Sequence, residues 1–155
     1  DVERKRLFDL APDESSGSGL GTDIYSSAAS RKTYEHLLEL ARELLAQDYK
    51  VIVDATFLER GQRQAFAALA RDTDTPFTVI YLDLPEQVLR ERVRARAERG
   101  GDASEADTTV LDHQLGKLQP PAPPEPVVTV AESSVPPDAE LQDWLANTAS
   151  PTVTP

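Results

Sequence analysis

A carboxylate and a hydroxyl, Asp54 and Thr56, follow a short apolar run that begins at residue 51. At the carboxyl end of a buried parallel strand, such a carboxylate points into the crevice where α/β proteins bind ligands. There it can hold the hydration shell of a magnesium ion or orient a hydroxyl group that accepts a phosphate. The alternative is an aspartate that only caps the following turn. The Thr56 hydroxyl favours the ligand-binding interpretation, with Asp54 as the candidate metal ligand.

A second carboxylate opens the sequence in the pattern Asp-x-x-Arg, formed by Asp1 and Arg4. A carboxylate at a helix start can accept a proton from a hydroxyl nucleophile, and an arginine one turn later can hold an anion such as phosphate. The same pair also fits an ordinary helix start, in which Asp1 is the N-cap and Arg4 is solvated. The local sequence by itself favours the ordinary helix start.

Three arginines form a stripe along the helix predicted to begin at Pro85. At about 100° per residue they lie on one side of Leu89, beside the apolar face of that helix. They are Arg92, Arg96 and Arg99. A guanidinium held against the protein requires an anionic partner, and phosphate groups are suitable partners. The alternative, a solvated face on which these arginines pair with Glu91 and Glu98, stays open.

Alternating strands and helices must position these candidates. Continuous apolar runs predict buried strands at residues 49–55 and 77–82, and a short last strand at 127–130. Helices are predicted at residues 1–10, 27–47, 62–71, 85–100, from residue 104 onward, and at 138–146. Strands of this kind suit a parallel sheet that helices cover on both faces. The predicted fold class is therefore α/β with right-handed crossovers.

The glycine-rich run at residues 16–21 is predicted to be a flexible loop. No lysine follows it and no strand precedes it, although both are needed for a phosphate-binding loop. The pattern Gly-x-x-x-x-Gly-Lys-Ser/Thr occurs nowhere in the sequence. Residues 119–126 contain five prolines and are predicted to form an extended linker.

Composition limits the functional classes. The chain has 155 residues, which predicts one domain, and its formal charge of -11 argues against wide contact with duplex nucleic acid. Cysteine is absent and the two histidines are isolated, so thiolate and histidine-cluster metal sites are excluded. No apolar run approaches the roughly 20 residues of a membrane span. We therefore expect a cytoplasmic protein with no membrane partner.

Taken in order, these segments resemble the P-loop kinase superfamily, in the branch with polynucleotide kinase, gluconate kinase and zeta-toxin-like proteins. The nearest likeness is to bacterial AAA-family ATPases that are often fused behind an aminoglycoside-phosphotransferase-like domain. The likeness extends to about residue 130, and the matching stretches are residues 1–7, 16–21 with 24–26, 51–57, 62–63 and 90–114.

The resemblance implies a three-layer P-loop fold in which Asp1 activates the acceptor hydroxyl and Arg4 lies near the transferred phosphate. It implies that Asp54, with Thr56 beside it, occupies the Walker B position and holds Mg²⁺. It also implies that the arginine stripe at residues 92, 96 and 99 belongs to a lid over the phosphates of ATP. Because the phosphate loop is missing, we expect the first strand and the loop to lie upstream of Asp1. Binding of ATP and Mg²⁺ is expected only when they are present.

Two functional hypotheses follow for this partial domain, which is predicted to span residues 1–147 before a disordered tail at 148–155. In the first, the chain is the C-terminal portion of an ATP-dependent phosphotransferase. Its acceptor is a small hydroxyl compound or a nucleic-acid end, and the full protein carries a possible N-terminal aminoglycoside-phosphotransferase-like domain. In the second, it is a non-catalytic scaffold or interaction module.

Overall fold

The computed structural model describes residues 1–14, 16–17, 23–99, 104 and 106–131. The predicted helix end at 100–101, the helix at 138–146, the tail at 148–155 and most of the glycine-rich run lie outside these residues. The described elements are α1 (Val2–Arg6), a 3-10 turn (Asp23–Tyr25), α2 (Ser27–Leu45), α3 (Arg60–Asp72), β1 (Val79–Asp83), α4 (Glu86–Arg99), α5 (Thr108–Lys117) and β2 (Val127–Ala131).

The helices in the described range form close to their predicted positions, except that α5 begins at Thr108 and not near residue 104. Local caps set the starts of α2 and α5. The Ser26 hydroxyl accepts a hydrogen bond from the Ala29 amide, 3.2 Å away, at the start of α2. At the start of α5 the N-cap is Asp107, whose carboxylate accepts from the Val110 amide at 2.9 Å. The first helix is shorter than predicted, because the chain turns at Asp9, which has a φ of 57°. Aspartate tolerates this left-handed conformation better than most residues.

The main hydrophobic core lies between α2 and α3. Its buried centre consists of Ala41, Phe66 and Leu69. The Phe57 ring joins the two helices, since its centroid lies 5.3 Å from the rings of both Tyr34 and Phe66. Aromatic pairs at this distance contribute about 0.5–1.5 kcal/mol beyond the area that they bury. The core therefore fixes the loop around Phe57, which directly follows Asp54 and Thr56.

The sheet in the described part of the chain consists of β1 and β2, which pair in parallel with Val79 opposite Val127. The chain passes from one strand to the other through α4 and α5, as parallel strands require. The predicted α/β class with a parallel sheet is confirmed, and β1 is shifted by two residues or fewer from the predicted 77–82. The expected burial of both sheet faces is wrong, because Ile80 is 43% exposed and Leu82 is 62% exposed.

The predicted buried strand at residues 49–55 is also wrong for the described structure. Side chains alternate as in a strand, with Val51 and Val53 packed on the core and Ile52 77% exposed. However, the backbone groups of residues 50–55 have no hydrogen-bond partner among the described residues. Because a strand requires a neighbouring strand, the segment remains extended and unpaired.

The proline-rich segment at residues 119–126 is anchored to the fold and is not the extended linker that its composition predicts. Arg63, only 3% exposed, forms a two-pronged ion pair with Glu125, with N–O distances of 2.7 and 3.0 Å. The Arg63 guanidinium also donates to the Phe57 carbonyl at 2.9 Å. Gln119 forms two hydrogen bonds near the start of α3. Its backbone amide donates to the Leu58 carbonyl, and its side-chain oxygen accepts from the Arg60 backbone amide. These bonds place the segment directly before β2.

Candidate functional site

The first helix carries two of the predicted site residues on a face that packs against α2. Asp1 is the N-cap of α1, but its side chain makes no capping hydrogen bond. One oxygen of its carboxylate instead lies 3.7 Å from Nε of Arg4. The Asp1 carboxylate therefore faces the guanidinium one turn later instead of capping the helix.

Arg4 is held by the protein around it. One of its terminal nitrogens donates to the Ile24 carbonyl at 2.8 Å and to the Ser30 hydroxyl at 3.1 Å. The guanidinium carbon lies 5.2 Å from the centre of the Tyr25 ring, which is a cation–π distance. Burial lowers the pKa of Arg4, while Tyr25 and Tyr34 oppose this shift. An arginine nonetheless stays protonated in proteins, so Arg4 is a fixed cation beside Asp1.

Asp54 and Thr56 lie at the end of the extended segment, and α2 holds the loop that carries them. The Tyr34 hydroxyl lies 3.3 Å from the Thr56 hydroxyl and accepts a hydrogen bond from the Phe57 amide at 3.0 Å. Phe57 has a φ of 43°, a conformation that costs energy for a bulky residue and persists only when its surroundings hold it. Tyr34 and the aromatic core provide that support.

Contacts with α2 place the two acidic residues in one region of the protein. Arg4, which faces Asp1, donates to Ser30, and Tyr34, one turn later on the same helix, contacts the loop that follows Asp54. The structure therefore brings together five residues from α1, α2 and the loop after the extended segment, which we call the Asp1–Asp54 cluster. Its members are Asp1, Arg4, Tyr34, Asp54 and Thr56.

The oxygen donors of this cluster are too few to bind magnesium by themselves. Among the described residues, no group of three or more histidine, aspartate or glutamate side chains could enclose a metal ion. Magnesium keeps several waters and is commonly bound by one or two carboxylates together with the phosphates of a substrate. Asp54 is exposed and is suited to be such a carboxylate. The residues therefore fit Mg²⁺ when a phosphate ligand supplies the remaining oxygens.

The three predicted arginines line a cleft of about 840 Å³ between α4 and α5, which we call the arginine cleft. Arg96 is half-buried there and donates to the Ala106 carbonyl at 3.3 Å, whereas Arg92 and Arg99 are exposed. In the described structure neither Arg96 nor Arg99 forms an ion pair with Glu91 or Glu98. The predicted pairing with these glutamates is therefore not formed, while the exposure of Arg99 still fits a solvated helix face.

The arginine cleft and the Asp1–Asp54 cluster are separate in this structure. Among the described residues, no hydrogen bond or ion pair joins the two sites. The position of α4 is instead set by α5, because Arg90 bridges Glu86 on its own helix and Asp112 on α5. The structure thus brings together the predicted acidic residues, and it does not bring the arginines to them.

Comparison with known protein families identifies the family of the chain. The family model described as an AAA domain matches residues 1–121, which include the Asp1–Asp54 cluster and the arginine cleft. The chain belongs to the AAA domain family. The predicted membership in the P-loop NTPase superfamily is therefore confirmed. Nucleotide-dependent chemistry follows at the level of this family.

Curated relatives of this AAA domain occur in mycobacteria. Uncharacterized proteins of Mycobacterium bovis and of two strains of Mycobacterium tuberculosis are 30% identical to it over 104 residues. The alignment covers 67% of this chain and 21% of each relative, so the match spans about a fifth of their length. No solved structure matches the chain at a significant level. In the described part of the AAA domain, every helix is too short or too polar to cross a membrane.

The residue that sequence reasoning missed is Tyr34. Tyr34 lies among the apolar residues of α2 that repeat every three or four positions, a pattern that predicts a core residue, and its ring does pack on the core. The available signal was its hydroxyl, because a tyrosine with its ring in a core commonly places the hydroxyl at a polar boundary. Here that boundary is the loop that carries Thr56, so Tyr34 connects the core of the AAA domain to the cluster.

Proposed function

We propose that the whole protein transfers the γ-phosphoryl group of ATP to a hydroxyl acceptor. In this proposal the chain supplies the group that activates the acceptor, a magnesium ligand and the lid. The observation that carries the proposal is the Asp1 carboxylate, which lies 3.7 Å from the Arg4 guanidinium, on the same face of α2 that contacts the loop after Asp54. A base beside a cation and a candidate metal ligand is the arrangement that phosphoryl transfer needs.

In this mechanism the oxygen of the acceptor hydroxyl forms a bond to the γ-phosphorus. The bond between that phosphorus and the bridging oxygen to the β-phosphate breaks, and ADP leaves with the bonding electrons. The Asp1 carboxylate takes the proton of the hydroxyl, while Arg4 stabilises the charge on the transferred group. Asp54 would hold Mg²⁺ through a carboxylate oxygen or through its water shell, and the chemistry that the ion would supply is neutralisation of phosphate charge.

The strand and phosphate loop that this mechanism needs are proposed to come from a segment of the same protein that precedes Asp1. Residues 51–54 lack backbone partners in the described structure, and β1 pairs with β2 along one edge. Large apolar side chains are exposed on the same segments, at Ile52, Ile80 and Leu82. We propose that the preceding strand lies between residues 51–54 and β1, which would complete a three-layer P-loop sheet.

Hydrogen exchange tests this insertion. In the full-length protein, the amides of residues 51–54 and of β1 are expected to exchange at least about 100-fold more slowly than in the 155-residue chain alone. The reason is that the inserted strand would give both edges a hydrogen-bond partner and would cover the exposed apolar side chains. Strong protection of both segments in the isolated, monomeric chain would contradict the proposal.

The arginine cleft is proposed to be a lid that binds the phosphates of ATP. In the full-length protein, Arg96→Ala is expected to raise the Kd for magnesium-bound ATP about 10-fold or more, since a charge-assisted contact contributes roughly 1.5–3 kcal/mol. Isothermal titration calorimetry measures this affinity. The matched control is Arg94→Ala, which removes the same charge from α4 but lies outside the cleft lining. Equal affinities for the two variants would contradict a specific role for Arg96.

The size of the relatives allows further domains in the whole protein, because the match covers 21% of their length. We propose, from the resemblance alone, that an aminoglycoside-phosphotransferase-like domain precedes this one. A cytoplasmic location is part of the same proposal, because ATP is available there.

A further inference from the structure

The Asp54 carboxylate lies in a stretch that backbone hydrogen bonds do not hold in the described structure. Among the described residues, the backbone groups of residues 50–56 have no hydrogen-bond partner. Val53 packs on the core directly before Asp54, whereas Asp54 and Thr56 are exposed. Side chains from other elements must therefore set the direction in which the Asp54 carboxylate points.

A side chain of α2 makes the first described backbone bond that follows Asp54 along the chain. The Phe57 amide donates to the Tyr34 hydroxyl at 3.0 Å, and the same hydroxyl lies 3.3 Å from the Thr56 hydroxyl. Because the Tyr34 oxygen accepts from Phe57, its own hydrogen is available to Thr56. One hydroxyl group of α2 thus contacts two successive residues of the loop after Asp54.

Phe57 is held from several sides in a conformation that a bulky residue rarely adopts. Its φ of 43° persists only when the surroundings support it. The Phe57 carbonyl accepts from Arg63 at 2.9 Å, and its ring packs between Tyr34 and Phe66. The carbonyl and ring contacts would remain without the Tyr34 hydroxyl, but the amide would lose its acceptor. The hydroxyl therefore supports the side of Phe57 that leads back to Asp54.

These contacts belong to elements that this chain supplies itself. Tyr34 is on α2, Arg63 is on α3, and the loop between residues 54 and 60 joins the extended segment to α3. The strand that we propose to precede Asp1 would pair with residues 51–54. The loop at residues 55–57 would still depend on Tyr34, so Asp54 would be held by the strand on one side and by this hydroxyl on the other.

We propose that Tyr34 is a positioning residue that directs the Asp54 carboxylate toward Mg²⁺, a proposal that rests on the phosphotransferase function given above. Tyr34 acts through the loop at residues 55–57 and need not contact the ligand. Removal of a group that orients a metal ligand typically lowers metal affinity or activity 10-fold to 100-fold. Tyr34 should therefore affect the binding of ATP with Mg²⁺, but not the binding of ATP without the metal.

The experiment compares the unmodified full-length protein with its variants Tyr34→Phe, Tyr49→Phe and Asp54→Asn. Tyr34→Phe keeps the ring in the core and removes only the hydroxyl. Tyr49→Phe is the matched control, because Tyr49 is 59% exposed and its hydroxyl has no partner among the described residues. Isothermal titration calorimetry measures the Kd for ATP in Mg²⁺ and in EDTA, and hydrogen exchange measures the Phe57 amide.

The expected result is a selective loss. In Tyr34→Phe the Kd for ATP in Mg²⁺ should rise about 10-fold or more, while the Kd in EDTA should change by less than about twofold. Asp54→Asn should weaken binding only in Mg²⁺, and Tyr49→Phe should change neither constant. The Phe57 amide should exchange about 5-fold faster in Tyr34→Phe because it loses its acceptor, while the amides of α2 and α3 keep their rates.

Two kinds of result overturn the inference without touching the role of Asp54. The first is that Tyr34→Phe binds ATP in Mg²⁺ as tightly as Tyr49→Phe does, while Asp54→Asn binds it more weakly. The second is an equal loss of affinity in EDTA, or faster exchange throughout α2 and α3, because Tyr34 would then have only a structural role. If Asp54→Asn keeps full affinity in Mg²⁺, the magnesium role of Asp54 in the proposed function is wrong, and the inference fails with it.

Discussion

Replacement of Asp1 by asparagine in the full-length protein is expected to lower kcat about 100-fold to 10,000-fold, because an amide cannot take the proton of the acceptor hydroxyl. The KM for ATP should change little, since Asp1 is proposed to act on the acceptor. Asparagine is also as good an N-cap as aspartate, and the Asp1 side chain makes no capping bond, so α1 should be preserved. Steady-state kinetics of ADP release measures both constants.

The control for this variant is Asp9→Asn. Asp9 is exposed, lies just after α1, and has a φ of 57° that asparagine also tolerates. It removes the same charge near the same helix, so its kcat should equal that of the unmodified protein. If Asp1→Asn turns over as fast as Asp9→Asn, then Asp1 is only a helix cap, and the non-catalytic scaffold becomes the better description of this chain.

The second large effect is expected at Arg63. Arg63→Met should lower the free energy of opening of α3 by about 3 kcal/mol, because it removes the closest cation from a largely buried carboxylate. Glu125 would keep only the Ala122 amide and Arg60, whose Nε lies 4.0 Å from the carboxylate. The Phe57 carbonyl would lose its hydrogen bond as well. A typical domain has a net stability of about 5–15 kcal/mol, so this loss is severe. Hydrogen exchange of the α3 amides in the full-length protein gives the free energy directly.

Two variants and one pH series make this prediction specific. Arg71→Met removes an exposed arginine from the same helix and should change the opening free energy by less than about 0.5 kcal/mol. Arg63→Met combined with Glu125→Leu should recover most of the loss, since an apolar pair can replace a buried ion pair. If the opening free energy of α3 is as low in the double variant as in Arg63→Met, then the loss of the ion pair is not the cause.

The pH dependence has a defined sign. The Arg63 guanidinium lowers the pKa of Glu125 in the folded protein through its hydrogen bond. Its stabilising contribution is therefore present above the usual carboxyl pKa and is lost as the pH falls through the lower, folded value. The unmodified protein should lose α3 stability over this acidic range. Arg63→Met should lack this part of the loss.

The helices were predictable because their signals are local. The start of α2 depends on a serine three residues before the amide that it caps, and the start of α5 on an aspartate with the same spacing. The strands were less predictable, because a strand depends on its neighbour. The side chains of residues 51–54 alternate as in a strand, but their backbone has no hydrogen-bond partner among the described residues. Their apolar run therefore predicted a strand that does not form without a neighbouring strand.

The sequence by itself determined the family, the order of the helices and of β1 and β2, and the types of candidate groups: the carboxylates Asp1 and Asp54, and the arginines of α4. Only the tertiary structure decided which of these groups meet. It joined Asp1, Arg4 and Asp54 through the packing of α1 on α2 and the Tyr34 bond to the loop after Asp54, and it left the arginines in a separate cleft. The physical reason is that side-chain proximity depends on contacts between residues distant in sequence, whereas helix caps and apolar periodicity depend on neighbours a few residues away.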